Sequence, residues 1–357
     1  MKFIHNDLFP TYSDLLHHTK LESHYTRFLK LYSEASTLLI NGKKRDAFNL
    51  LNQLWLDPHI VPALILGECY KIGYPVIPTW SRFSRYTLVN KPKLDGSTRP
   101  IIAPNNETRV AMGVVNVLLQ ASCASWTIRT HGFRASSDKS TRFGTKSATL
   151  SLSQAFKAGR PSATLVFFDI KKAFNSVDLK HLFNTLELHQ LPKDIKHLIW
   201  QWQHTPPHEE GLAQGFPYSP TLFAWYLDTV FSKTFGRPAA GRPDFFIYTD
   251  NIVGLFNDVT EAQRALDQLN MALAAAGLTI NQASLQLITV NNSSADIVVP
   301  WLGHKMHFPS GLVEFGRSGP TQVSAEKSRL TKLEWYKQLK LTDWYHKVHV
   351  NNWRRLS

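Results

Sequence analysis

Two acids in this chain stand where apolar runs end. Asp169 follows the run Ala163 to Phe168 in ATLVFFDI (163–170), and Asp250 lies in the polar centre Thr249-Asp250-Asn251 of FFIYTDNIVGLF (245–256). The first run reads as a buried strand of a mixed sheet, with a polar residue emerging at its carboxyl end, where sites gather. The second reads as an apolar hairpin whose turn carries the acid. Two carboxylates brought onto one face of a sheet repel each other unless protons or cations intervene. A pair of Mg²⁺ ions about 4 Å apart is the usual arrangement for phosphoryl chemistry, and nucleotidyl transfer suits it. Each acid also reads as an ordinary strand-end or turn residue, because Asp is favoured in turns.

The elements that must position these acids are legible in outline. Residues 1–84 read as helical: Leu21, Tyr25, Phe28, Leu29 and Tyr32 recur at three- and four-residue spacings, and a second helix is expected from Arg45 to Trp55. Pro58, Pro62, Pro75 and Pro78 then keep helices short. From Ser84 the pattern changes to RYTLVNKPKLDGSTRPIIAP, two strand-like runs around Asp95-Gly96, a hairpin that carries Arg85, Lys91, Lys93 and Arg99. A helix of about fifteen residues is expected from Glu107. After it come a basic stretch from His131 to Lys146, a helix over Leu150 to Lys157, and another over Asp178 to Glu187. Ser219-Pro220 reads as the start of a further helix, with Ser as cap and Pro in the first turn.

The chain of 357 residues carries 40 Lys and Arg against 27 Asp and Glu, a net charge of +13. With 43% apolar residues it has ample material for a core, so disorder does not explain the basic excess, and a polyanionic partner is the commonest reason for one. Cys69 and Cys123 are the only cysteines, which excludes a disulfide framework or a Cys-rich zinc module and suits a reducing compartment. Val110 to Ile128 is interrupted by Asn116, Gln120 and several Ser, so it reads as a buried helix and not a membrane span. The first twenty residues lack both the apolar core of a secretory signal and the Arg-rich character of a transit peptide. An intracellular protein with no membrane partner is expected.

The context of the two acids is more specific than their spacing. Phe-Asp-Ile-Lys-Lys-Ala-Phe-Asn-Ser-Val-Asp (168–178) resembles motif A of reverse transcriptases, and Gly-Leu-Ala-Gln-Gly-Phe-Pro-Tyr-Ser-Pro-Thr-Leu-Phe (211–223) resembles motif B. Tyr-Thr-Asp-Asn (248–251) is similar to Tyr-x-Asp-Asp of motif C. Lys93-x-x-Gly-x-x-Arg99-Pro-Ile-Ile-Ala-Pro104 and His131-Gly-Phe-Arg134 resemble the fingers of group II intron and other bacterial-type enzymes of this family. Gly277-Leu-Thr-Ile-Asn281 looks like motif D, and Trp301-Leu302-Gly303 like the primer-grip motif E. The resemblance spans about residues 85–305. A looser one connects the chain to reverse-transcriptase-like proteins of green-algal mitochondrial genomes, which implies an organelle-encoded protein acting in the mitochondrion, against a cytoplasmic one otherwise.

What the resemblance implies is an α/β (α+β) right-hand polymerase fold. Its parts would be a helical N-terminal region (1–84), fingers (85–160), a palm (161–305) and a short basic, helical, thumb-like tail (306–357). The implied activity is RNA-directed DNA polymerisation on an RNA template, extending a DNA or RNA primer with deoxynucleoside triphosphates. Asp169 and Asp250 would hold two Mg²⁺ (or Mn²⁺) ions with help from Asn251 and the Ile170 backbone carbonyl. Those ions would lower the pKa of the primer hydroxyl and neutralise the pyrophosphate. Phe174 would lie against the sugar and exclude a 2′-hydroxyl. Lys93 and Arg99 would reach the triphosphate, and Gln214 and Gly215 would form the floor beside the nucleotide. Trp301, Leu302 and Gly303 would grip the primer. Arg134 and Lys139 would contact nucleic acid. The tail lies outside the resemblance: Lys337, Lys340, Arg354 and Arg355 stand among Trp335, Trp344 and Trp353, which recur every nine residues, a pattern that reads either as an amphipathic helix pair with Trp in its core or as aromatics stacking on bases while the cations hold phosphates.

Three positions depart from the family pattern. Asn251 replaces the second Asp of motif C and removes a charge, Ser284 stands where motif D usually has a Lys that can protonate the pyrophosphate, and Asn175 replaces a common Asp. A second reading is therefore a weakened or inactive RNA-binding relative serving in splicing or a ribonucleoprotein. A third, an RNA-directed RNA polymerase, is disfavoured by Phe174, where such enzymes tend to carry an acid.

Overall fold

The computed structural model describes residues 85–92, 96, 98–122, 129–131, 145–158, 162–185, 193–204, 208, 210–236, 244–291 and 296–315, with individual positions between 27 and 72. Those individual positions are nearly all helical, and Phe28 and Ala35 are buried where Arg27 and Lys30 are exposed, as an amphipathic helix requires. Lys93, Arg134, Lys139, Lys337, Lys340, Arg354 and Arg355 lie outside the described residues, as does the expected tail beyond residue 315.

Strands β1 (Tyr86–Pro92) and β2 (Thr98–Pro104) form an antiparallel hairpin exposed over most of its length. Its register sets Lys91 opposite Arg99. Helix α1 (Asn106–Ser122) follows, two residues longer than expected; Asn105 caps it by accepting the Thr108 amide at 2.9 Å, and Val110, Ala111, Met112, Val114 and Val115 are buried.

The central sheet runs β4 (Phe245–Tyr248), β5 (Asn251–Phe256), β3 (Ser162–Asp169), β6 (Gln286–Asn291). All three pairings are antiparallel, where the apolar runs predict a mixed sheet. The parallel component is one bridge, Thr130 to Ile247, on the outer edge of β4. Strand β3 is apolar from Leu165 to Phe168 because both faces are covered, and its one fully buried polar side chain, Thr164, pairs with Thr289 on β6 at 3.4 Å. Ala163, Leu165 and Phe167 join one buried cluster, while Val166 and Phe168 join the other, the alternation a strand imposes.

One face packs against α5 (Ser219–Phe235) and α6 (Val259–Ala275). Asp258 caps α6 through the Glu261 amide at 2.8 Å, and Glu261 returns a bond to the Asn257 amide, a variant of the capping box. The other face packs against α2 (Thr145–Lys157) and a three-stranded sheet, β7 (Ile297–Trp301), β8 (His304–Phe308) and β9 (Leu312–Glu314). Helix α2 starts five residues before the expected Leu150. Two shorter helices, α3 (Leu179–Thr185) and α4 (Lys193–Gln203), complete the described elements, with Asp178 capping α3 through the amides of Lys180 and His181. Among the described residues no helix is long and apolar enough to cross a membrane.

Candidate active site

Asp169 is the last residue of β3, and its cross-strand partner on β5 is Asn251. Its carbonyl accepts from the Asn281 amide at 2.9 Å and its own amide donates to Ser284 Oγ at 3.0 Å, so both main-chain groups point away from β5. Asp169 and Asn251 are therefore a non-hydrogen-bonded pair, the geometry in which cross-strand side chains approach most closely. The next residue, Ile170, donates its amide to the carbonyl of Asp250 at 3.1 Å. The two acids are thus neighbours across one strand pair.

Asp250 sits in the two-residue turn between β4 and β5. Thr249, first in that turn, has φ 54°, a left-handed backbone that costs a β-branched residue about 1 kcal/mol or more. The Thr249 hydroxyl, with one proton to give, lies 2.6 Å from the Tyr248 carbonyl and 2.9 Å from Asp250 Oδ1. Asn251 Nδ2 donates to the same Oδ1 at 3.2 Å. The amide that replaces an acid here therefore binds its neighbour's carboxylate, leaving its own oxygen as the atom able to face a cation. Burial raises the Tyr248 phenol above its ordinary pKa of 10.0.

Asp169 Oδ1 is buried and has no hydrogen-bond partner among the described residues. A carboxylate oxygen withdrawn from water is stable when a proton or a cation meets it. Carboxylates, an amide oxygen and main-chain carbonyls form an all-oxygen donor set, the kind hard ions such as Mg²⁺ and Mn²⁺ take. The residues fit such an ion, although no three His, Cys, Asp or Glu side chains among the described residues converge as a metal centre.

Phe174 closes the turn after β3. Its ring stacks on that of Phe223 from α5, and its carbonyl accepts the Leu212 amide at 2.8 Å. Gly211, at φ 68°, permits this approach, since a Cβ there would strike the Phe174 carbonyl. Gln214 Nε2 donates to Asn175 Oδ1 at 2.9 Å, and its carbonyl accepts the Ile102 amide at 2.8 Å. Gln214 Oε1 is buried without a partner among the described residues. Gly215 has φ 113°, and a Cβ there would meet the Ile102 carbonyl and lie 2.6 Å from Ile101 Cγ2.

Gln203, which the sequence reading passes over, holds this loop from behind. It donates to Tyr218 Oη at 3.1 Å and accepts the Ala213 amide at 2.8 Å. It also reaches Ser219 Oγ at 3.4 Å. Ser219 is not the cap of α5, as expected, because Tyr218 occupies that position and no side chain caps the helix; the Ser219 hydroxyl serves Gln203 instead. Arg99 is exposed on the hairpin. Trp301 is buried in the cluster with Met306 and Phe308, and Leu302-Gly303 form the β7–β8 turn with φ 53° and 77°. That motif belongs to the separate three-stranded sheet and presents a corner.

Residues 89–306 match the family model described as reverse transcriptase (RNA-dependent DNA polymerase). A reverse transcriptase-like protein of Chlamydomonas reinhardtii is 37% identical over 339 residues, covering 93% of this chain and 88% of that protein. A retrovirus-related Pol polyprotein from the type-1 retrotransposable element R2 of Nasonia vitripennis is 24% identical over 132 residues, 32% of this chain and 13% of that protein. Among solved structures, telomerase from Candida albicans in complex with a fragment of telomeric RNA aligns with TM-score 0.50 and 12% identity, covering 85% of this chain and 65% of that one. At that identity the likeness speaks to the fold alone, which is the right-hand polymerase fold. On the family match and the Chlamydomonas relative together, the chain belongs to the reverse transcriptase family.

Proposed function

We propose that this protein is an RNA-directed DNA polymerase that extends a primer on an RNA template by nucleotidyl transfer with two Mg²⁺ or Mn²⁺ ions. The observation that carries the reading is the adjacency of Asp169 and Asp250 across the β3–β5 pair, with Asp169 Oδ1 buried and unsatisfied. Asp169 and Asp250 would hold the ions, with the Asn251 amide oxygen and the Ile170 carbonyl as weaker ligands. When bound, the ions lower the pKa of the primer hydroxyl and offset the charge on the departing pyrophosphate.

The chain's own residues do the rest. Phe174, backed by Phe223, presents a rigid ring to the sugar. Gln214 has a free buried amide oxygen for a donor of the nucleotide, and Gly215 lets the hairpin backbone close over it. Lys91 and Arg99 face each other across the hairpin, a like-charged pair that is unfavourable alone and relieved by an anion such as a triphosphate. Lys93 would act with them. Leu302 and Gly303 would touch the primer while Trp301 anchors their turn. The RNA template is consistent with the RNA-bound telomerase relative, and Arg134, Lys139 and the basic tail would hold its phosphates. A mitochondrial site of action belongs to the same reading.

Primer extension on an RNA template with purified protein tests this. Asp169-dependent incorporation of deoxynucleotides in Mg²⁺ or Mn²⁺ is expected, and its absence overturns the proposal. One observation favours a second reading, an inactive RNA-binding relative: Asn251 leaves two acids where the family has three. Salt-dependent RNA binding that survives Asp169→Ala, without incorporation, would select it. Preference for ribonucleotides over deoxynucleotides would select an RNA polymerase.

A further inference from the structure

The β3–β6 ladder runs from Ser162 opposite Asn291 to Phe167 opposite Gln286, and two steps further along the same register Asp169 faces Ser284. The main chain does not continue the ladder that far. Residues 282–284 form a turn, and pairing resumes only at the bridge Ile170 to Ile280, so three extra residues bulge out opposite the acid. A bulge beside a strand end re-aims the side chain there and takes away a main-chain partner. The Ser284 hydroxyl replaces it: Oγ accepts the Asp169 amide at 3.0 Å and donates its proton to the Asn281 carbonyl at 2.9 Å. The Asn281 amide closes the ring by donating to the Asp169 carbonyl at 2.9 Å.

We propose that Ser284 is a positioning residue for Asp169, its hydroxyl standing in for a strand carbonyl and fixing the direction of the carboxylate. The proposal rests on the reading of Asp169 as a cation ligand. Ser284 is then not an empty place where a proton donor is missing. Its proton is committed to Asn281, and a Lys at 284 lacks the acceptor that the Asp169 amide uses.

The test uses the full chain and Mn²⁺ alone as probe, with free ion measured by electron paramagnetic resonance and with Asp169→Ala as the reference for site-specific binding. Ser284→Ala is expected to weaken the Asp169-dependent Mn²⁺ affinity about tenfold, the scale of lost outer-shell partners. It should lower kcat for incorporation with the deoxynucleotide KM changed less than about twofold, since the loss falls on alignment and not on nucleotide binding. Ser284→Thr, which keeps the hydroxyl, should restore both. If Ser284→Ala does not fold, Ser284→Cys, close in size and a weak acceptor, should show the same loss against Ser284→Thr. Wild-type Mn²⁺ affinity in Ser284→Ala, a Thr variant no better than the Ala one, or a wild-type protein with no Asp169-dependent Mn²⁺ binding overturns the proposal. If the wild type incorporates no nucleotide while Mn²⁺ affinity still falls with Ser284→Ala, the polymerase reading fails and the positioning role stands.

Discussion

The ring of Phe174 lies on the ring of Phe223 with centroids 5.2 Å apart and planes inclined by 27°. Phe223 is fully buried in α5, so it cannot retreat, and Phe174 inherits that rigidity. In the proposed enzyme the depth of the sugar site is set by a residue that touches no substrate. Phe223→Ala is expected to reduce discrimination between deoxy- and ribonucleotides by about tenfold, with Phe223→Leu intermediate. The ratio of kcat/KM values for the two substrate classes checks this; an unchanged ratio with native stability would refute it.

Gly215 presses on the main chain of the hairpin. Gly215→Ala is expected to cost about 2 kcal/mol, because the new Cβ meets the Ile102 carbonyl and the backbone has φ 113°. Gly96→Ala is the control: φ is 80° but nothing lies within 4 Å, so only the conformational penalty remains. Denaturant unfolding of the two variants should differ by at least half the larger effect.

Asn251 holds Asp250 through a donor that an acid lacks. Asn251→Asp therefore puts a third negative charge beside two others and should lower the melting temperature of the metal-free protein. In Mg²⁺ or Mn²⁺ the order should reverse, with affinity raised about tenfold by the added charge and incorporation raised with it. Thermal melts with and without the ions check the crossover, and equal shifts in wild type and variant would remove Asn251 from the cation site.

Arg129 is fully buried and forks onto Asp244, Nε to Oδ1 at 2.5 Å and Nη2 to Oδ2 at 2.7 Å, while Nη1 donates to the Gly236 carbonyl at 2.7 Å. Its main chain accepts from the Ile247 amide at 2.7 Å and so braces the outer edge of the sheet. Asp244→Ala strands a buried guanidinium and should cost about 3 kcal/mol. Arg129→Met removes the buried charge and leaves a partner that water reaches, so it should cost less. Chemical denaturation distinguishes the two, and the opposite order would show that packing dominates.

His307 bonds Asp296 at 3.0 Å and lies 3.2 Å from Glu314, and the Asp296 hydrogen bond, with help from both negative charges, raises its pKa above the ordinary 6.5. A raised folded-state pKa stabilises fully below the unfolded value and is lost as pH climbs through the folded one. Hydrogen exchange in β7–β9 should therefore accelerate above pH 6.5, beyond the intrinsic base catalysis, and His307→Gln should abolish the excess. Equal exchange in both proteins would dismiss the ion pair.

Much of the sheet was legible because burial writes itself into residue type: a strand covered on both faces must be apolar, and the acid that ends it stands out. The ends of elements were harder. Helix α2 begins at Thr145 through partners distant in the chain, with His304 Nε2 at 3.0 Å from the Thr145 hydroxyl and Ser153 donating to the Gly311 carbonyl. Polar residues satisfied in this way look like loop. In sequence Ser284 looks like a missing lysine because a side chain serving a main-chain amide leaves no periodic trace, and Gln203 is invisible for the same reason.

Gln214 grips the hairpin with its main chain and Asn175 with its side chain. It is thus a rivet through two plates, one carrying Lys91 of β1 and Arg99 of β2 and the other the aromatic ring after β3. A hairpin that tilts toward a bound anion drags on the residue next to Phe174. Closure over the triphosphate and tightening around the sugar are, in the proposed enzyme, one stroke of a single lever.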